Sequence, residues 1–572
     1  MQFLLSKLGF PQLRMGGAEY DPYESEEENN ERAELEEVVS AHAVNLESMA
    51  SIASNPQCFL EWATFFISLL LNPILFRKHI LREDVTFPIK EPRIRPTDDA
   101  LLPSLVKLEK WKVARYALFS EYAQALASYF EVAKKNKSLR PIVDMRPLNA
   151  WLKTPPSVRL ATMGTFLRAV AAHGANCFMS TGDMSGWFHQ LSVPKGCHNL
   201  FGITCAGVLF FYTVLGMGMS WSPLISQACL LCIMLMRMPG DKNGDLGVDG
   251  SKFGKNLPPG LIEIDRKRGF LVAYYDNVFV LTKKRFDCTQ WVARIKNNAR
   301  AVGAMWNPRE ILCDPTQSLV FLGILLDTSG LPKWKHCLKK VEKWAAWWKP
   351  FKNPEVFKAA LTPRLVAKIV GISVWDTTIR LLPLFMIAGV IEVLREIHNR
   401  YTLFRKRDWY QHIELPEAML QMLVEQIEKV LLNGWHVPET PQTATKEWIG
   451  ASDACDYGWG FVILKGHDSG RFVNRTRMPD GTSVPGAGFP ASLFHTHIYI
   501  KEIYAALQLI AHVCKHATGE PATLTLLMDN TAGMHSFQKW YTKNHVAMFL
   551  LKRAYKMLKE KNIELIVKWV KS

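Results

Sequence analysis

The sequence of 572 residues has no long uninterrupted apolar segment. Its best apolar run, residues 62–76, is interrupted by Asn72-Pro73 and is shorter than the ~20 residues that cross a bilayer. The N-terminus, MQFLLSKLGF, has neither a charged leader nor a small-residue cleavage site. We therefore expect no membrane span, no membrane partner and no secretory signal.

Cysteine is infrequent and irregularly placed. Eleven cysteines, an odd number without regular spacing, argue against a disulfide framework and for a reducing compartment. We expect an intracellular protein, in the cytoplasm, the nucleus or both. Cys229 and Cys232 form one CxxC in the apolar run ACLLCIML, without a second ligand pair, so a buried helix explains them better than zinc.

The charge is unevenly distributed along the chain. Its net charge is +16, but the first 50 residues hold three basic side chains against eleven acidic ones, so the other 522 residues carry +24. A folded body this basic usually binds a polyanion such as nucleic acid or an anionic surface. The acidic segment 19–37 has few apolar residues and is predicted to be disordered or loosely helical.

Hydrophobic periodicity gives a coarse secondary structure for the first 330 residues. Residues 101–133 have helical periodicity, and KKNKSLRPIVDMRPLN predicts a basic turn, a short strand and a second turn. CFMSTGDM predicts a strand that an aromatic-rich turn joins to a second strand, HQLSV. A helix is expected from Ser222-Pro223, and FLVAYYDNVFVLT is typical of a tight hairpin between two buried strands.

Beyond residue 330 the pattern first becomes helical and then alternates. Residues 331–435 mix aromatic and basic side chains, and residues 436–446 have the composition of a linker. The remaining segments predict strands around 449–465 and 523–528, helices around 499–515 and 543–561, and a last strand, IELIVKWV.

Asp183 and Asp276 each stand where an apolar strand meets a turn. A buried carboxylate costs free energy unless it is paired or binds a cation. Two such acids facing each other on adjacent strands would form a Mg²⁺ site that substrate phosphates complete. Each acid taken alone is better explained as an ordinary turn residue.

The order of the motifs around these acids resembles that of the reverse transcriptases of retroelements, over roughly residues 105–330. In chain order the matching segments are KKNKSLRPIVDMRPLN, TGDMSGWFHQLSV, VLGMGMSWSP, YYDN in place of YxDD, and FLGILLD. The resemblance implies nucleotidyl transfer by two metal ions held ~3.5–4 Å apart, with Asp183 and Asp276 as catalytic ligands. Mg²⁺ is the expected ion, two per active site, with Mn²⁺ as the alternative.

The resemblance also assigns residues to substrate contacts. Lys135, Lys137 and Arg140 would bind triphosphate oxygens, although the lysines are also explained as solvated charge. Phe188, five residues after Asp183, would screen the sugar 2′ position, unless it is a plain core residue. The remaining assignments are Met217 and Gly218 to the nucleotide and template, and Phe321, Leu322 and Gly323 to the primer grip.

Two departures from the family pattern bear on activity. Asn277 replaces the second acid of YxDD, which removes a charge beside the metals, although its carbonyl oxygen can still act as a ligand. We expect a weakened or more Mn²⁺-dependent site. Leu215-Gly216-Met217-Gly218 replaces LPFG or LPQG, which puts the nucleotide contact of Met217 in doubt.

A second group of acids lies in residues 447–572. WIGASDACDYGWGFVIL, HIYIKEIYAALQLI and LTLLMDNTAG resemble ribonuclease H as it follows a reverse transcriptase. The resemblance implies that Asp453, Glu502 and Asp529 hold two metal ions that hydrolyse the RNA strand of a hybrid. Each acid taken alone is better explained as an ordinary exposed residue. The family's fourth carboxylate is not among these residues, so we expect weak cleavage.

Together these features predict an α+β multidomain protein: a right-hand polymerase of fingers, palm and thumb, followed by an α/β ribonuclease H-like domain with a mixed five-stranded sheet. The expected domains are an N-terminal extension (1–100), fingers and palm (101–330), helical thumb, connection and linker (331–440) and the ribonuclease H-like domain (441–572). In the thumb, the tryptophans at 344–348 are expected either to line a duplex groove or to form helix core.

The expected function is RNA-directed DNA synthesis from dNTPs, with an RNA template, a DNA primer and RNA–DNA hybrid as partners. Within the family the chain most resembles the DIRS/Ngaro/VIPER-type retrotransposons, so element-encoded coat or recombinase proteins are further candidate partners. The alternative is a decayed or domesticated scaffold that binds nucleic acid without catalysis. Asn277 and the absent fourth ribonuclease H acid favour that alternative.

Overall fold

The structure is a computed structural model. It describes residues 35, 38–87, 96–133, 138–238, 246–401, 406–438, 446–456, 458–466, 475–477, 483–485 and 487–571. The chain divides into two compact units, with the boundary between Trp334 and Lys335. Among the helices in these ranges, none combines the length and the apolar character that a membrane span needs.

The first unit alternates helices with short strands. Its helices are α1 (Leu46–Ala53), α2 (Glu61–Leu71), α3 (Pro73–Ile80), α4 (Leu102–Lys110), α5 (Arg146–Asn149), α6 (Met163–His173), α7 (Trp187–Gln190), α8 (Ser222–Leu235) and α9 (Arg285–Ala301). Its strands are β1 (Ala114–Tyr116), β2 (Leu126–Ala133), β3 (Leu139–Asp144), β4 (Phe178–Asp183), β5 (Gly202–Cys205), β6 (Val208–Tyr212), β7 (Leu261–Ile264), β8 (Gly269–Tyr274), β9 (Asn277–Thr282), β10 (Ser318–Phe321) and β11 (Ile324–Asp327). Strand β12 (Lys333–His336) crosses the boundary.

Two larger sheets and a smaller one organise these strands. One sheet has the order β1-β6-β5-β2-β3, in which β2 pairs antiparallel with β3 and parallel with β5. The other is antiparallel throughout, with the order β4-β9-β8-β7. Strands β10, β11 and β12 form a third, three-stranded sheet in that order, in which β10 and β11 are an antiparallel hairpin. The predicted hairpin around YYDN is therefore confirmed as β8 and β9.

Helix α8 lies at the centre of the first unit. All of its residues except Pro223 are buried, including Cys229 and Cys232, so the expectation that these cysteines belong to a buried helix is confirmed. A helix that is apolar on all sides must be covered on all sides. Helices α1, α2 and α3, from the first 100 residues, contribute to the same core; Trp62 and Ile67, for example, are fully buried.

Two secondary-structure predictions in the first unit are wrong. Helical periodicity over 101–133 holds only for α4, because residues 126–133 form β2 and hydrogen-bond to strands on both sides. The apolar spacing of this segment fits either period, and the sheet partners decide it. The expected strand HQLSV begins instead as helix α7, and only Ser192 makes a strand-like bridge, to Val214.

Three features predicted from the sequence lie wholly or mainly outside the described residues. Lys135 and Lys137 are not among them, and of the acidic segment 19–37 only Leu35 is described. The linker predicted at 436–446 is described only at its two ends.

The second unit consists of a helical part followed by a sheet with flanking helices. The helices are α10 (Leu338–Trp348), α11 (Pro354–Ala359), α12 (Pro363–Ile379), α13 (Ala388–Tyr401), α14 (Glu417–Leu431), α15 (Ile498–His516), α16 (Thr531–Lys539) and α17 (His545–Glu560). The strands are β13 (Lys446–Ala454), β14 (Gly458–Lys465), β15 (Arg475–Arg477), β16 (Ser483–Pro485), β17 (Ala487–Gly488), β18 (Ala522–Met528) and β19 (Ile563–Trp569).

The tryptophans of α10 contribute to the core of the helical part. Trp348 is fully buried, and Trp344 and Trp347 pack half-buried against the same cluster. The ammonium groups of Lys340 and Lys368 lie over the rings of Trp344 and Trp347, 5.3 and 4.0 Å from their centroids. Of the two predicted alternatives for the tryptophans at 344–348, helix core is therefore the one that fits. The half-buried rings of Trp344 and Trp347 also contact basic side chains.

The sheet part has the predicted mixed five-stranded sheet, in the order β17-β14-β13-β18-β19. Strands β13 and β14 are antiparallel, whereas β13, β18 and β19 run parallel. Helices α15 and α17 bury their apolar faces against this sheet. Because β13 and β18 run parallel, their carboxyl ends, which carry Asp453 and lead to Asp529, lie at the same edge.

Candidate active sites

The first pair of predicted acids is brought together by β4 and the β8–β9 hairpin. Asp183, the last residue of β4, lies directly opposite Asn277 in the antiparallel pairing with β9. The backbone N–H of Met184 donates to the carbonyl of Asp276 at 2.9 Å, which fixes the turn beside the end of β4. Two acids 93 positions apart in the chain thus meet at one end of the four-stranded sheet.

Both carboxyl groups have a raised pKa. Burial, reinforced by the charge of Asp276, raises the pKa of Asp183 to about 7. Burial also raises the pKa of Asp276. The side-chain amide of Asn277, which donates to this carboxylate at 2.9 Å, lowers the same pKa by a smaller amount. The positive charge of Arg140 also lowers the pKa of Asp276. Two partly buried acids that repel each other are a favourable place for a divalent cation.

A turn that the sequence interpretation did not single out closes over Asp183. The N–H of Asn307 donates to the carbonyl of Asp183 at 2.8 Å, and the N–H of Asp183 donates to the carbonyl of Glu310 at 2.9 Å. The side-chain amide of Asn307 also donates to the Asp183 carboxylate at 3.4 Å. The Asn-Pro step at 307–308 is a turn signal in the sequence, but nothing local indicates which strand the turn contacts.

A buried amide from helix α8 holds the hairpin on its other side. Gln227 is fully buried; its side chain accepts from the N–H of Tyr275 at 2.8 Å and donates to the carbonyl of Ala273 at 2.9 Å. Gln227 was not among the predicted site residues. Its signal was a lone amide in the apolar run LISQACLLCIML, since a buried polar side chain needs partners.

The other predicted nucleotide contacts have different surroundings. Arg140 is exposed on β3, and Phe188 packs half-buried against the core. Met217 is 36% exposed. Gly218 has a packing reason to be glycine, because a Cβ there would lie 2.7 Å from the carbonyl oxygen of Val143. The side chain of Asn149 further fixes this loop by donating to the carbonyl of Gly218 at 2.8 Å.

The predicted primer-grip residues form the tight turn between β10 and β11. Leu322 and Gly323 have φ angles of +48° and +79°, as in a type I′ hairpin turn. Phe321 is buried, with its ring 4.8 Å from that of Phe279 on β9. The hairpin is therefore anchored to the sheet that carries the first pair of acids.

The second group of acids converges at the carboxyl-end edge of the five-stranded sheet. Asp453 lies in β13, Glu502 in α15 and Asp529 directly after β18. One carboxylate oxygen from each lies within 4.8 Å of the others, and among the described residues this is the one group of three or more such side chains close enough to hold a metal ion. Asp453 lies in the predicted strand region 449–465, Glu502 lies in the predicted helix around 499–515, and Asp529 directly follows the predicted strand around 523–528.

The electrostatics of this group also fit a cation. Burial and the charges of Asp453 and Asp529 raise the pKa of Glu502 to about 8. Glu502 is only 4% exposed, and its Oε2 has no hydrogen-bond partner, whereas Oε1 accepts from the N–H of Ala454 at 3.3 Å. An unpartnered buried carboxylate oxygen facing two other acids is the arrangement that Mg²⁺ or Mn²⁺ would stabilise.

Two residues beside this group were missed by sequence interpretation. The indole of Trp569 donates to the carbonyl of Asp529 at 2.9 Å and so fixes the end of β18. Lys501, 3% exposed, donates to the carbonyl of Asp456 at 2.9 Å and lies 5.4 Å from the ring centroid of Phe489. These contacts depend on which segments meet in the fold, and local patterning does not reveal them.

Comparison with known proteins places part of the chain in a family. Among solved structures, the chain is similar to a foamy viral protease–reverse transcriptase with double-stranded DNA (12% identity, 91% of this chain and 81% of that chain, TM-score 0.42). It is also similar to the foamy viral enzyme with an RNA/DNA hybrid (13% identity, 86% and 56%, TM-score 0.45). No curated protein sequence matches. Residues 132–326 match the family model "Reverse transcriptase (RNA-dependent DNA polymerase)", so this third of the chain is a reverse transcriptase domain.

Proposed function

We propose that the chain is the reverse transcriptase of a retrotransposon, which copies RNA into DNA by transferring nucleotides from dNTPs to a primer 3′-OH. The observation that carries this proposal is that Asp183 and Asp276 both lie within the matched residues 132–326 and meet at one end of the four-stranded sheet. Their burial and the repulsion that Asp183 experiences favour a cation between them.

The residues of this site have distinct roles in the proposed reaction. Two divalent ions, when bound, would activate the primer 3′-OH and stabilise the leaving pyrophosphate. Asp183 and Asp276 would hold them, with the side-chain oxygen of Asn277 as a neutral ligand. Arg140, exposed and electrostatically coupled to Asp276, would bind the triphosphate as a fork of hydrogen-bond donors. Phe188 would screen the 2′ position of the sugar.

Primer extension on poly(rA)/oligo(dT), with Mg²⁺ and Mn²⁺ compared, tests this proposal. We expect dTTP incorporation by the wild-type chain and none by Asp183→Asn or Asp276→Asn, while both variants still bind the duplex. Asp265→Asn, an exposed acid away from the site, is the matched control. Incorporation that the two site variants leave unchanged would instead favour the noncatalytic nucleic-acid-binding scaffold.

We further propose that residues 446–571 form a linked ribonuclease H that hydrolyses the RNA strand of a hybrid. This proposal is supported by the mixed five-stranded sheet and by Asp453, Glu502 and Asp529 converging within 4.8 Å. The orphaned Oε2 of Glu502 is the specific sign that a cation belongs there. When bound, the ions would activate water for attack on the RNA phosphate.

Cleavage of an end-labelled RNA–DNA hybrid by the full chain tests the nuclease separately from the polymerase. Glu502→Gln should remove cleavage and leave primer extension intact, because the residue lies in the other unit from Asp183. Asp183→Asn should have the opposite effect. Cleavage that persists in Glu502→Gln would contradict the assignment.

The motif wording SDAC, HIYIKE and MDN supports an origin among DIRS/Ngaro/VIPER-type elements.

A further inference from the structure

Asp183 has a different neighbour on each side of its strand end. On one side it lies opposite Asn277, the residue that replaces an acid of the family motif. On the other side, its backbone N–H and C=O hydrogen-bond to Glu310 and Asn307 at 2.9 and 2.8 Å. The turn closes on itself, because the N–H of Glu310 donates to the carbonyl of Asn307 at 2.9 Å. Glu310 is thereby fixed next to Asp183.

We propose that Glu310 supplies the negative charge that Asn277 withholds, and so acts as the third carboxylate of the polymerase site. This inference rests on the proposed function and concerns how that site binds its cations. Glu310 would act through its charge near the ions and would not replace either of the two partly buried ligands, Asp183 and Asp276, since its own side chain is exposed.

The electrostatics of the pair support this placement. The negative charge of Glu310 raises the pKa of both Asp183 and Asp276, so it acts on both acids. An exposed carboxylate whose backbone is fixed beside one of two partly buried acids raises the negative charge available to a cation.

The backbone and side chain of Glu310 can be tested independently. Its structural contacts with Asp183 and Asn307 use only backbone atoms. Glu310→Gln therefore keeps these hydrogen bonds and the side-chain volume, and it removes only the charge. Asn277→Asp adds a charge on the opposite side of Asp183. If total charge governs cation binding, the two changes should compensate each other in the double variant.

Primer extension as a function of Mg²⁺ concentration, on the full chain, gives the first readout. We expect Glu310→Gln to raise the Mg²⁺ concentration for half-maximal extension at least fivefold, Asn277→Asp to lower it, and the double variant to return close to wild type. Asp314→Asn, an exposed acid four positions further on, is the matched control and should change nothing. Identical Mg²⁺ dependence of wild type and Glu310→Gln would overturn the inference.

Thermal unfolding gives a readout that does not depend on activity. Each protein carries Glu502→Gln to remove the second metal site, and Tm is measured with EDTA and with Mg²⁺. Glu310→Gln should raise the metal-free Tm, because a repelling charge is gone, and should diminish the increase that Mg²⁺ causes. Equal Mg²⁺-induced shifts in both proteins would refute the role of Glu310. A chain that shows the expected Tm shifts but never extends a primer would refute only the proposed function.

Discussion

The side chain of Gln227 bonds to both sides of the turn at Tyr275, accepting from its N–H and donating to the carbonyl of Ala273. Tyr275 has a φ of +57°, a conformation that costs free energy for a non-glycine residue. Gln227 is a fully buried residue of helix α8, so the core itself holds the turn that presents Asp276. The catalytic geometry proposed for this chain therefore depends on a side-chain amide that is buried in the core.

Replacing Gln227 by Leu should displace this turn. The change leaves the N–H of Tyr275 and the carbonyl of Ala273 without their partner, at a cost of about 1–3 kcal/mol each if they stay buried. We expect both the rate of primer extension and the free energy of unfolding, measured by urea denaturation, to fall. Expressed as a free energy, the loss of activity should be at least as large as the loss of stability. Ser226→Ala, at the neighbouring buried position of α8, is the control. Full activity in Gln227→Leu would contradict the positioning role.

Replacing Gly182 by Ala should force Asp183 and the 307–313 segment apart. A Cβ at Gly182 would lie 2.6 Å from the backbone nitrogen of Leu312, which cannot move as a flexible side chain could. Overpacking of this kind costs about 1–3 kcal/mol. Gly330→Ala, where a Cβ meets nothing within 4 Å, should leave the free energy of unfolding nearly unchanged. Equal stability of the two variants would show that the backbone contact is absent.

The metal-free protein should lose stability as the pH rises. The pKa of Glu502 rises from its ordinary value of 4.5 to about 8 in the fold, so the folded chain keeps a proton that the unfolded chain releases between these values. The free energy of unfolding in EDTA should therefore fall from about pH 5 to about pH 8, by at most ~1.4 kcal/mol per pH unit for this group. Asp183, with a pKa raised to about 7, adds a contribution of the same sign.

Glu502→Gln should reduce this pH dependence, because it removes the titrating group and keeps the side-chain volume. The measurement is the urea midpoint at several pH values, with Asp183→Asn as a second variant that should remove a separate part of the slope. Saturating Mg²⁺ should also flatten it, since a bound cation stabilises the ionised acids. A slope that neither variant changes would assign the pH dependence to other residues.

Replacing Leu322 by Asn should stabilise the β10–β11 hairpin. Leucine is unfavourable at a φ of +48°, whereas Asn-Gly is the preferred pair for a type I′ turn. We expect a gain of about 0.5–1 kcal/mol in the free energy of unfolding by urea denaturation. Leu331→Asn, at an exposed leucine, should stay within about ±0.5 kcal/mol. Destabilisation of Leu322→Asn would indicate that packing of the leucine side chain contributes more free energy than its positive φ angle costs.

Several elements could be predicted because their signal is local. Helix α8 followed from a Ser-Pro start and a continuous apolar run, and β8 and β9 followed from two apolar runs around a two-residue turn. The residues of β2 and α7 were wrongly predicted, because their patterns allow more than one element. Hydrogen bonds from β3 and β5 make residues 126–133 a strand, and these partners are distant in sequence.

The amino-acid sequence alone predicts which acids stand at strand ends and in which order, and it shows that Asn277 replaces an acid of the family motif. Spacing and residue type are local properties, and they remain readable without the fold. The contact of Gln227 with the turn at Tyr275 and the backbone hydrogen bond between Glu310 and Asp183 depend on how distant segments pack in the fold. Such contacts arise because buried polar groups must find partners wherever packing brings them, and packing depends on the whole chain.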